Sequence, residues 1–415
     1  MMWGAIGFWI TALVTGLAVK TPAAEMNKAA IELVKTGKVD VARASWWGFD
    51  PNDATECLQT AIDSGVKTLV VDNVGSPWIV KPIKLTSNQK IIFEPGVEVV
   101  AKAGEFKGTG DSLFSATNEE NIELIGYGAT FRMRRDEYAA PPYKKGEWRM
   151  ALALRSCRDV KIYGLTMAES GGDGIYLGVA KKGVPNQNIH IKDVVCDKNY
   201  RQGISVISAE NLLIENVRMT NTAGTAPQSG IDLEPNHGDE ILANITIRNC
   251  TTQANNGFGY QFHLTALKAS SRPISIRVEN SRSIGDKAGS VQITTGRTIQ
   301  DAVKGTIEFA GCEFDRAGNQ GIGVDGNPGG ACTIRFIDCV VENAGLCKPE
   351  VSPVVVSGNG QGIEFQNLIL RDPLKRSPIK HVRLEQGGPA NAVRGTIIVQ
   401  DAQAYKTITM PPSNR

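Results

Sequence analysis

The chain has 415 residues, a formal net charge of +2 and an aromatic content of 6%. Because positive and negative charges nearly cancel, the composition gives no support for a nucleic-acid partner, which would favour a strongly basic surface. No glycine-rich phosphate loop joins a strand to a helix, and Cys and His do not cluster at zinc spacing, so neither nucleotide chemistry nor a zinc site is indicated.

The N-terminal segment has the character of an export signal. Residues 1–19 are almost wholly apolar, and Lys20-Thr-Pro-Ala-Ala24 follows. An apolar stretch that ends in small residues is typical of a cleaved secretory signal peptide. The start of the segment lacks a basic residue, so an uncleaved membrane anchor is the alternative. We expect a signal peptide at 1–24 and a secreted or periplasmic protein that is free of the membrane after cleavage.

Residues 25–110 predict an N-terminal cap and the first β-strands. Asp53 has the position of a helix N-cap, Glu56 follows three residues later, and apolar residues up to Ile62 recur at helical spacing. Strand-forming runs begin at residue 68. A stack of strands exposes its core and edges at each end, so a short amphipathic helix here is typical of a cap.

A long polar interruption at residues 132–149 mixes basic and aromatic residues. Loops of this kind on a rigid scaffold commonly carry binding residues. Trp148 is the candidate sugar-stacking residue of this loop. A solvated loop without a function is the alternative.

A pattern of glycine followed by apolar-x-apolar repeats through the middle of the chain. Its glycines are Gly174, Gly203, Gly230, Gly259 and Gly289. A fixed period of about 30 residues without a helical segment predicts one coil of a β-solenoid per repeat. We therefore expect an all-β, single-stranded parallel β-helix over residues 111–370 and a Pro-rich tail over residues 371–415.

Eight cysteines in a chain that we expect to be exported raise the question of disulfides. In the alignment of the repeats, Cys250, Cys312 and Cys339 share a column with Leu and Val. We therefore expect inward-facing, buried thiols. A disulfide between Cys312 and Cys339, on adjacent coils, is the alternative.

Alternation along the glycine-led strands predicts which side chains point outward. If the Ile of each repeat faces the core, one outward column contains Tyr176, Ser205, Asp232, Gln261 and Gln292. A second column, two residues further along, contains Glu234, His263 and Thr294. Coils stack about 4.8 Å apart and alternate residues lie about 6.6 Å apart, so we expect a compact square. Its four corners are Asp232, Glu234, Gln261 and His263.

The neighbouring carboxylates Asp232 and Glu234 are the candidate catalytic pair. Their expected spacing lies near the range of about 6.5–9.5 Å that separates the acid and base of an inverting glycoside hydrolase. One would protonate the leaving oxygen while the other activates water. Asp173, two coils earlier, is a third candidate, and His263 or His237 could transfer protons. Ordinary surface side chains, and a turn-forming role for Asp173, are the alternatives.

The turn Lys198-Asn-Tyr-Arg201 favours a different chemistry. A uronate lyase needs a cation or Ca²⁺ to neutralise the substrate carboxylate, and a basic side chain to take the α-proton. Lys198, Tyr200 and Arg201 supply those residue types. The acidic stretch 232–240 offers Ca²⁺ ligands without an EF-hand spacing, whereas a hydrolase would require no cofactor. A solvated charged turn is the alternative.

The segment Asp53-Ala-Thr-Glu-Cys-Leu-Gln-Thr-Ala-Ile-Asp63, the Gly-Val-Glu-Val run and the coils from Ile162 onward resemble the pectin-lyase-like superfamily of right-handed parallel β-helix proteins. The resemblance covers roughly residues 50–370 and implies a right-handed coil. That superfamily includes polysaccharide lyases, glycoside hydrolases, uronan epimerases, and phage or adhesin proteins. The resemblance therefore implies a fold without deciding the reaction.

Short motifs exclude some of the reactions that this superfamily catalyses, but they do not select one. Polygalacturonases carry Asn-x-Asp, Asp-Asp, His-Gly and Arg-x-Lys on successive coils, and this chain has only the His-Gly, at His237-Gly238. The Arg-x-Pro-x-x-Arg motif of pectate lyases occurs at residues 371–376, several coils past the acidic square, and we interpret it as a chance match. The chain is therefore not a plain polygalacturonase, and no family's full catalytic set transfers to it.

We expect a secreted enzyme that cleaves a polysaccharide, and we favour a glycoside hydrolase with Asp232 and Glu234 as its acid and base. Residues of several types would hold the sugar by stacking and hydrogen bonds: Trp148, Tyr176, Lys198, Tyr200, Arg201, His237 and Gln261. One alternative is a uronate lyase or C5-epimerase that uses the Lys, Arg, Tyr or His side chains. Another is a non-catalytic carbohydrate-binding solenoid. We expect a monomer or a small homo-oligomer.

Overall fold

The computed structural model describes residues 23–358, 360–382, 393–400 and 405–410. The predicted signal peptide, apart from Ala23 and Ala24, lies outside the described residues. Within the described ranges, no helix has the length and apolar character needed to cross a membrane.

The described chain winds into a parallel β-solenoid of about 12 turns. A typical coil contributes three strands, such as Asn186–Lys192, Val195–Asp197 and Gln202–Val206. Each strand pairs in parallel with its counterpart on the next coil. The predicted all-β solenoid is therefore confirmed.

The third strand of each coil belongs to an eleven-stranded parallel sheet. Its strands are Ile83–Lys84, Phe114–Thr117, Leu152–Arg155, Ile175–Gly178, Gln202–Val206, Ser229–Leu233, Phe258–His263, Gly289–Thr294, Ile322–Asp325, Val354–Ser357 and Ile379–Val382.

The other strands form a sheet of 24 members that contains a ladder of longer strands and a ladder of shorter ones. The longer ladder comprises Val41–Arg43, Thr68–Val71, Gln89–Phe93, Glu120–Ile125, Arg158–Tyr163, Asn186–Lys192, Ala209–Glu215, Leu242–Arg248, Ile274–Glu279, Gly305–Ala310, Cys332–Ile337, Ile363–Arg371, Val393–Gln400 and the antiparallel Tyr405–Met410. The shorter ladder comprises Trp78–Val80, Glu98–Ala101, Thr130–Arg132, Thr166–Ala168, Val195–Asp197, Arg218–Thr220, Thr251–Gln253, Arg282–Ile284, Glu313–Asp315 and Val340–Glu342. The predicted C-terminal tail thus contributes strands to both sheets.

Helical segments lie before the first coils and inside the polar interruption. They are Lys28–Lys35, the 3-10 turn Ala44–Trp47, Thr55–Asp63 and Arg135–Tyr138. Helix Thr55–Asp63 buries Leu58, Ala61 and Ile62 in the solenoid core, which is compatible with the predicted cap. Helix Lys28–Lys35, which the sequence analysis did not anticipate, packs Ile31 and Val34 onto the same core.

The predicted N-cap role of Asp53 is wrong by one residue. Ala54 occupies the N-cap position and provides no side-chain bond. Asp53 instead accepts the backbone N–H of Thr55 at 3.1 Å and lies 2.5 Å from the ammonium of Lys102. The carboxylate is therefore turned toward the first coils, where it ties the helix entry to a strand end.

The cysteine column is inward-facing, as predicted. Cys250, Cys312 and Cys339 are buried beside the apolar residues of neighbouring coils. Both Cys312 and Cys339 are free thiols, so the alternative of a disulfide between them does not hold.

Asparagines with a left-handed backbone mark the start of the longer strands. Asn188, Asn211 and Asn244 have φ values of 55°, 57° and 52°. The Asn211 amide donates to Asn188 Oδ1 at 2.9 Å, and the Asn244 amide donates to Asn211 Oδ1 at 2.8 Å. Asparagine suits this position because it tolerates the left-handed region and its side chain can bond to the next coil.

Substitution of Asn211 should separate backbone strain from the asparagine ladder. Asn211→Gly removes two solvent-facing hydrogen bonds and should lower the unfolding free energy by roughly 1 kcal/mol. Asn211→Ala loses the same bonds and adds left-handed strain, for roughly 2 kcal/mol in total. Urea unfolding monitored by circular dichroism measures both values. An alanine variant as stable as the glycine variant would contradict this account.

Candidate active site

The outer face of the eleven-stranded sheet carries the predicted column of polar residues. Tyr176 pairs with Ser205, Ser205 with Asp232, Asp232 with Gln261, and Gln261 with Gln292. The expected register of this column is therefore confirmed. Glu234 follows directly after strand Ser229–Leu233, and its N–H donates to the carbonyl of Val206 at 3.0 Å.

The coils approach one another closely just before this column. A Cβ on Gly203 would lie 2.4 Å from the carbonyl oxygen of Gly230 and 2.9 Å from the Cβ of Met219. Only glycine permits this packing without displacing the neighbouring backbone. The repeated glycine therefore fixes where the strand begins, and with it the height of Ser205 and Asp232 on the sheet.

One arginine lies between the carboxylates of the two coils that flank its own coil. Nη2 of Arg201 is 2.7 Å from Glu234 Oε2, and Nη1 is 3.8 Å from Asp173 Oδ1. The side-chain amide of Gln202 donates to Asp232 Oδ2 at 3.0 Å. We call Asp173, Arg201, Asp232 and Glu234 the carboxylate cluster. Arg201 thus becomes the central charge of the site.

The carboxylate cluster is deeply buried for a set of charged groups. Asp173 and Asp232 are fully buried, whereas the side chains of Arg201 and Glu234 are 12% and 25% exposed. Within the described part of the chain, both oxygens of Asp173, Oδ1 of Asp232 and Nε of Arg201 have no hydrogen-bond partner. An ionised carboxylate without hydrogen bonds is costly in such surroundings, which favours protonation.

Burial shifts the pKa of both aspartates upward. It raises the pKa of Asp173 to about 7, against the opposing attraction of Arg201. Burial also raises the pKa of Asp232 well above its ordinary value, and the charge of Glu234 adds to the effect. The carboxylate cluster can therefore hold protonated acids beside an ion pair between Arg201 and Glu234 near neutral pH.

Comparison with known proteins supports the fold assignment. A family model described as the right handed beta helix region matches residues 146–301 and 183–368, which together span more than half of the chain. The chain belongs to this right-handed β-helix family. No curated protein matches its sequence significantly.

Several solved structures resemble this right-handed β-helix protein in fold. The exopolygalacturonase of Thermotoga maritima has a TM-score of 0.61 at 13% identity, and the match covers 93% of this chain and 99% of the other. The surface adhesin PfbA of Streptococcus pneumoniae has a TM-score of 0.57 at 14% identity, with 89% and 100% covered. The tailspike protein of E. coli bacteriophage HK620, in complex with a pentasaccharide, has a TM-score of 0.60 at 14% identity, with 84% and 62% covered.

The side chains at the corners of the predicted square make different contacts in this β-helix protein. Gln261 lies beside Asp232 in register, and its Oε1 accepts the hydroxyl of Ser229 at 2.8 Å. His263 follows Phe262, which pairs with Leu233, and its Nε2 lies 2.9 Å from the hydroxyl of Thr265. Glu234 is bound to Arg201. The ion pair with Arg201 thus holds Glu234 through a contact that the square did not include.

The remaining predicted residues differ in their exposure and in the contacts that they make. Tyr176 is half-buried and His237 is exposed, and both line a cavity next to the site. Lys198 is exposed; its backbone N–H donates to the Thr220 carbonyl, and its own carbonyl accepts from Arg135. Tyr200 packs its ring against Gly224.

Trp148 lies in the polar interruption, next to a residue that pairs with the backbone just before Asp173. Its side chain is exposed, and the next residue, Arg149, pairs with Gly171 through a β-bridge. Arg149 is fully buried: its Nε donates to the Phe106 carbonyl at 2.9 Å, and its Nη2 donates to the Lys144 carbonyl at 2.9 Å. This arginine therefore fixes the position of the loop that presents Trp148.

Sequence reasoning did not identify Glu147, Gln202 or Arg149 as parts of the site. Glu147 adds to the upward shift of the Asp173 pKa and accepts the hydroxyl of Thr225 at 3.3 Å. Of these three residues, only Gln202 could have been found from the sequence. It lies between Arg201 and the repeat glycine, and the register of the repeats places it opposite Ser229, on the strand that carries Asp232. Within the described chain, no three His, Cys, Asp or Glu side chains form a metal-binding arrangement.

The raised pKa of Asp173 makes a prediction about stability. Between its ordinary value of 3.8 and about 7, the folded protein retains a proton that the unfolded chain releases. This contribution to stability is complete below about pH 4 and is lost as the pH rises towards 7. Asp173→Asn cannot titrate, so its unfolding free energy relative to wild type should increase over that range by up to roughly 4 kcal/mol.

Urea or thermal unfolding of both proteins from pH 4 to pH 8 measures this difference. Asp136→Asn, which changes an exposed carboxylate of the polar interruption, is the matched control. A difference between Asp173→Asn and wild type that is the same at every pH would rule out the buried, proton-holding aspartate.

Proposed function

We propose that the protein is a glycoside hydrolase that cleaves a polysaccharide, with the carboxylate cluster as its active centre. The observation that carries the proposal is the proximity of a partly exposed Glu234, paired with Arg201, to a buried Asp232 whose pKa is raised. Glycoside hydrolysis needs one carboxylic acid and one carboxylate within a short distance of the same bond. Environments that separate the pKa values of two carboxyls are the usual means of assigning these roles.

In the proposed mechanism, Asp232 donates its proton to the leaving glycosidic oxygen. Glu234 accepts a proton from the attacking water, whose oxygen forms the new bond to the anomeric carbon as the glycosidic bond breaks. The two residues are alternate members of one extended segment, which places their backbones about 6.6 Å apart. Arg201 pairs with Glu234, and Asp232 is fully buried, so the proposed mechanism requires a local rearrangement of the cluster before substrate reaches Asp232.

Asp173 has a supporting role in this proposal. It is fully buried behind Arg201, so its charge state acts on the reaction through the arginine. When Asp173 is neutral, Arg201 interacts mainly with Glu234. When Asp173 ionises, a second carboxylate competes for the same guanidinium and raises the negative charge around Asp232.

The fold comparisons support a carbohydrate ligand without choosing a reaction. Two similar structures are named as exopolygalacturonases, and one tailspike protein is solved with a pentasaccharide. Another similar structure is named as a surface adhesin, so a solenoid that binds without cleaving is a competing function. We propose that this protein acts outside the cytoplasm, and its export signal and oligomeric state stay predictions.

One assay distinguishes the reactions. The purified protein is incubated with neutral and acidic polysaccharides, with and without Ca²⁺, and both new reducing ends and the ultraviolet absorbance of an unsaturated uronate are recorded. Reducing ends without absorbance support hydrolysis. Absorbance that rises with the reducing ends replaces hydrolysis with β-elimination and makes Lys198, Tyr200 and Arg201 the residues to test. Binding without either signal supports the adhesin-like function.

Removal of either member of the proposed pair should abolish hydrolysis. Asp232→Asn and Glu234→Gln should each lower kcat by roughly 10²–10⁴-fold, because each removes a proton-transfer group. Glu215→Gln is the matched control, since Glu215 also pairs with an arginine, Arg248, but lies on the longer ladder. Full activity in both site variants, with unchanged circular dichroism, would refute the assignment.

The ionisation of Asp173 should determine how activity changes with pH near neutrality. In the wild type, kcat/KM should fall as the pH rises through about 7, since the pKa of Asp173 is raised to about 7. Asp173→Asn keeps the neutral form at every pH, so it should retain activity within about tenfold below pH 6 and lose the fall near pH 7, leaving only the loss that follows ionisation of the general acid Asp232. A variant with the same basic limb as wild type would assign that limb to another group.

A further inference from the structure

A cavity of about 650 Å³ lies next to the carboxylate cluster. Its polar wall is formed by Tyr176, Lys182, Asn236, His237, Asp239 and Glu240. Tyr176 belongs to the same outward column as Asp232, two coils earlier, and Asn236 follows Glu234 by two residues. A ligand in the cavity would therefore extend directly to the proposed cleavage point.

Tyr176 forms a fixed aromatic wall of this cavity. The guanidinium carbon of Arg155 lies 5.3 Å from the ring centroid. A Cβ on residue 178 would lie 2.1 Å from the ring, so Gly178 leaves the space that the ring occupies. An aromatic ring held on a rigid sheet, with a hydroxyl at its tip, is suited to packing against a sugar and bonding to it.

The opposite wall is a turn that its own buried carboxylate holds in place. Glu240 is buried and accepts the backbone N–H groups of Asn236 and His237 through Oε2. The hydroxyl of Ser271 donates to the carbonyl of Gly238 at 2.5 Å, which ties the turn to a later coil. The turn therefore presents its side chains from a preformed position, which reduces the entropy lost when a ligand binds.

The charges of the cavity wall nearly balance. Lys182 and His237 supply donors, Asp239 and Glu240 supply carboxylates, and Asn236 supplies an amide that both donates and accepts. Among the described residues, neither Lys182 nor Asp239 is in an ion pair with a protein group. Mixed donors and acceptors without an excess of cations fit the hydroxyl groups of a neutral sugar.

The adjacent carboxylate cluster disfavours an acidic sugar at the cleavage point. Arg201 is already paired with Glu234 at 2.7 Å and lies 3.8 Å from Asp173. A uronate carboxylate placed there would be repelled by the carboxylate of Glu234, while the two buried aspartic acids offer it no positive charge and the arginine of the cluster is already committed.

We propose that the cavity between Tyr176 and the 236–240 turn is a subsite for a neutral sugar residue, and that the substrate is a neutral polysaccharide. This inference names the substrate class of the proposed hydrolase and so rests on that function. The binding of neutral sugar in the cavity can nevertheless be measured without turnover.

Affinity electrophoresis of the wild type in gels that contain galactan, mannan, polygalacturonate or alginate tests the substrate class. At least one neutral polymer should retard the protein more strongly than either polyuronate. Lys182→Ala and Tyr176→Ala should weaken that retardation roughly tenfold, because each loses a contact with the ligand. Lys181→Ala, which changes an exposed neighbour outside the cavity wall, is the matched control and should behave like wild type.

Each result decides the proposal. Stronger retardation by a polyuronate, no retardation by any neutral polymer, or equal effects of Lys181→Ala and Lys182→Ala would overturn the neutral subsite. Neutral binding that depends on Lys182 but produces no new reducing ends would keep the subsite and reject the hydrolase. Cleavage of a neutral polymer with KM unchanged in both cavity variants would keep the hydrolase and reject the subsite. Because Lys182 is exposed, its variant is informative even where Tyr176→Ala fails to fold.

Discussion

In-register parallel hydrogen bonding between successive coils is the constraint on which the rest of this structure depends. Each residue of a strand lies about 4.8 Å from its counterpart on the next coil. The side chain at one position must therefore pack against the side chains at the same position of the two neighbouring coils. Inward columns consequently have to be apolar or small, as the buried Cys250 and Cys312 are. Outward columns can bring together polar residues that are about 30 residues apart in sequence, as Ser205 and Asp232 are.

The stacking of coils brings the residues of the carboxylate cluster together, and their burial lowers the stability of the fold. A folded core gains little from two buried carboxyl groups that lack full hydrogen bonding, and it would gain more from apolar residues of similar size. The raised pKa values of Asp173 and Asp232 show how the fold reduces the cost, since a retained proton removes the buried charge. An arrangement that is unfavourable for stability and specific in its chemistry is characteristic of functional sites.

The sequence predicts the columns well because they follow from alternation and period alone. Tyr176, Asp232 and Gln261 stand where the repeat alignment places them. It does not predict the pairing of Arg201 with Glu234, since Arg201 precedes its strand in a turn and its direction depends on the local backbone of that turn. The contact of Glu147 with Thr225 could not be predicted either, because Glu147 lies in an irregular loop and the repeat pattern does not indicate the path of that loop.

The burial of Asp232 connects the cavity to the proposed chemistry. Asp232 is fully buried, so it can contact a sugar only after a local rearrangement, and the proposed catalysis therefore requires one. Interactions at a neighbouring subsite can supply energy for such a rearrangement, because binding away from the reacting bond can be used at the reacting centre. The 236–240 turn is joined to Glu234 by a single residue, Pro235, so a sugar bound in the proposed subsite would be linked to the ion pair of Glu234 through a very short stretch of backbone. A glycan that fills the cavity would thus act on Glu234 through the same rigid strand that positions Asp232.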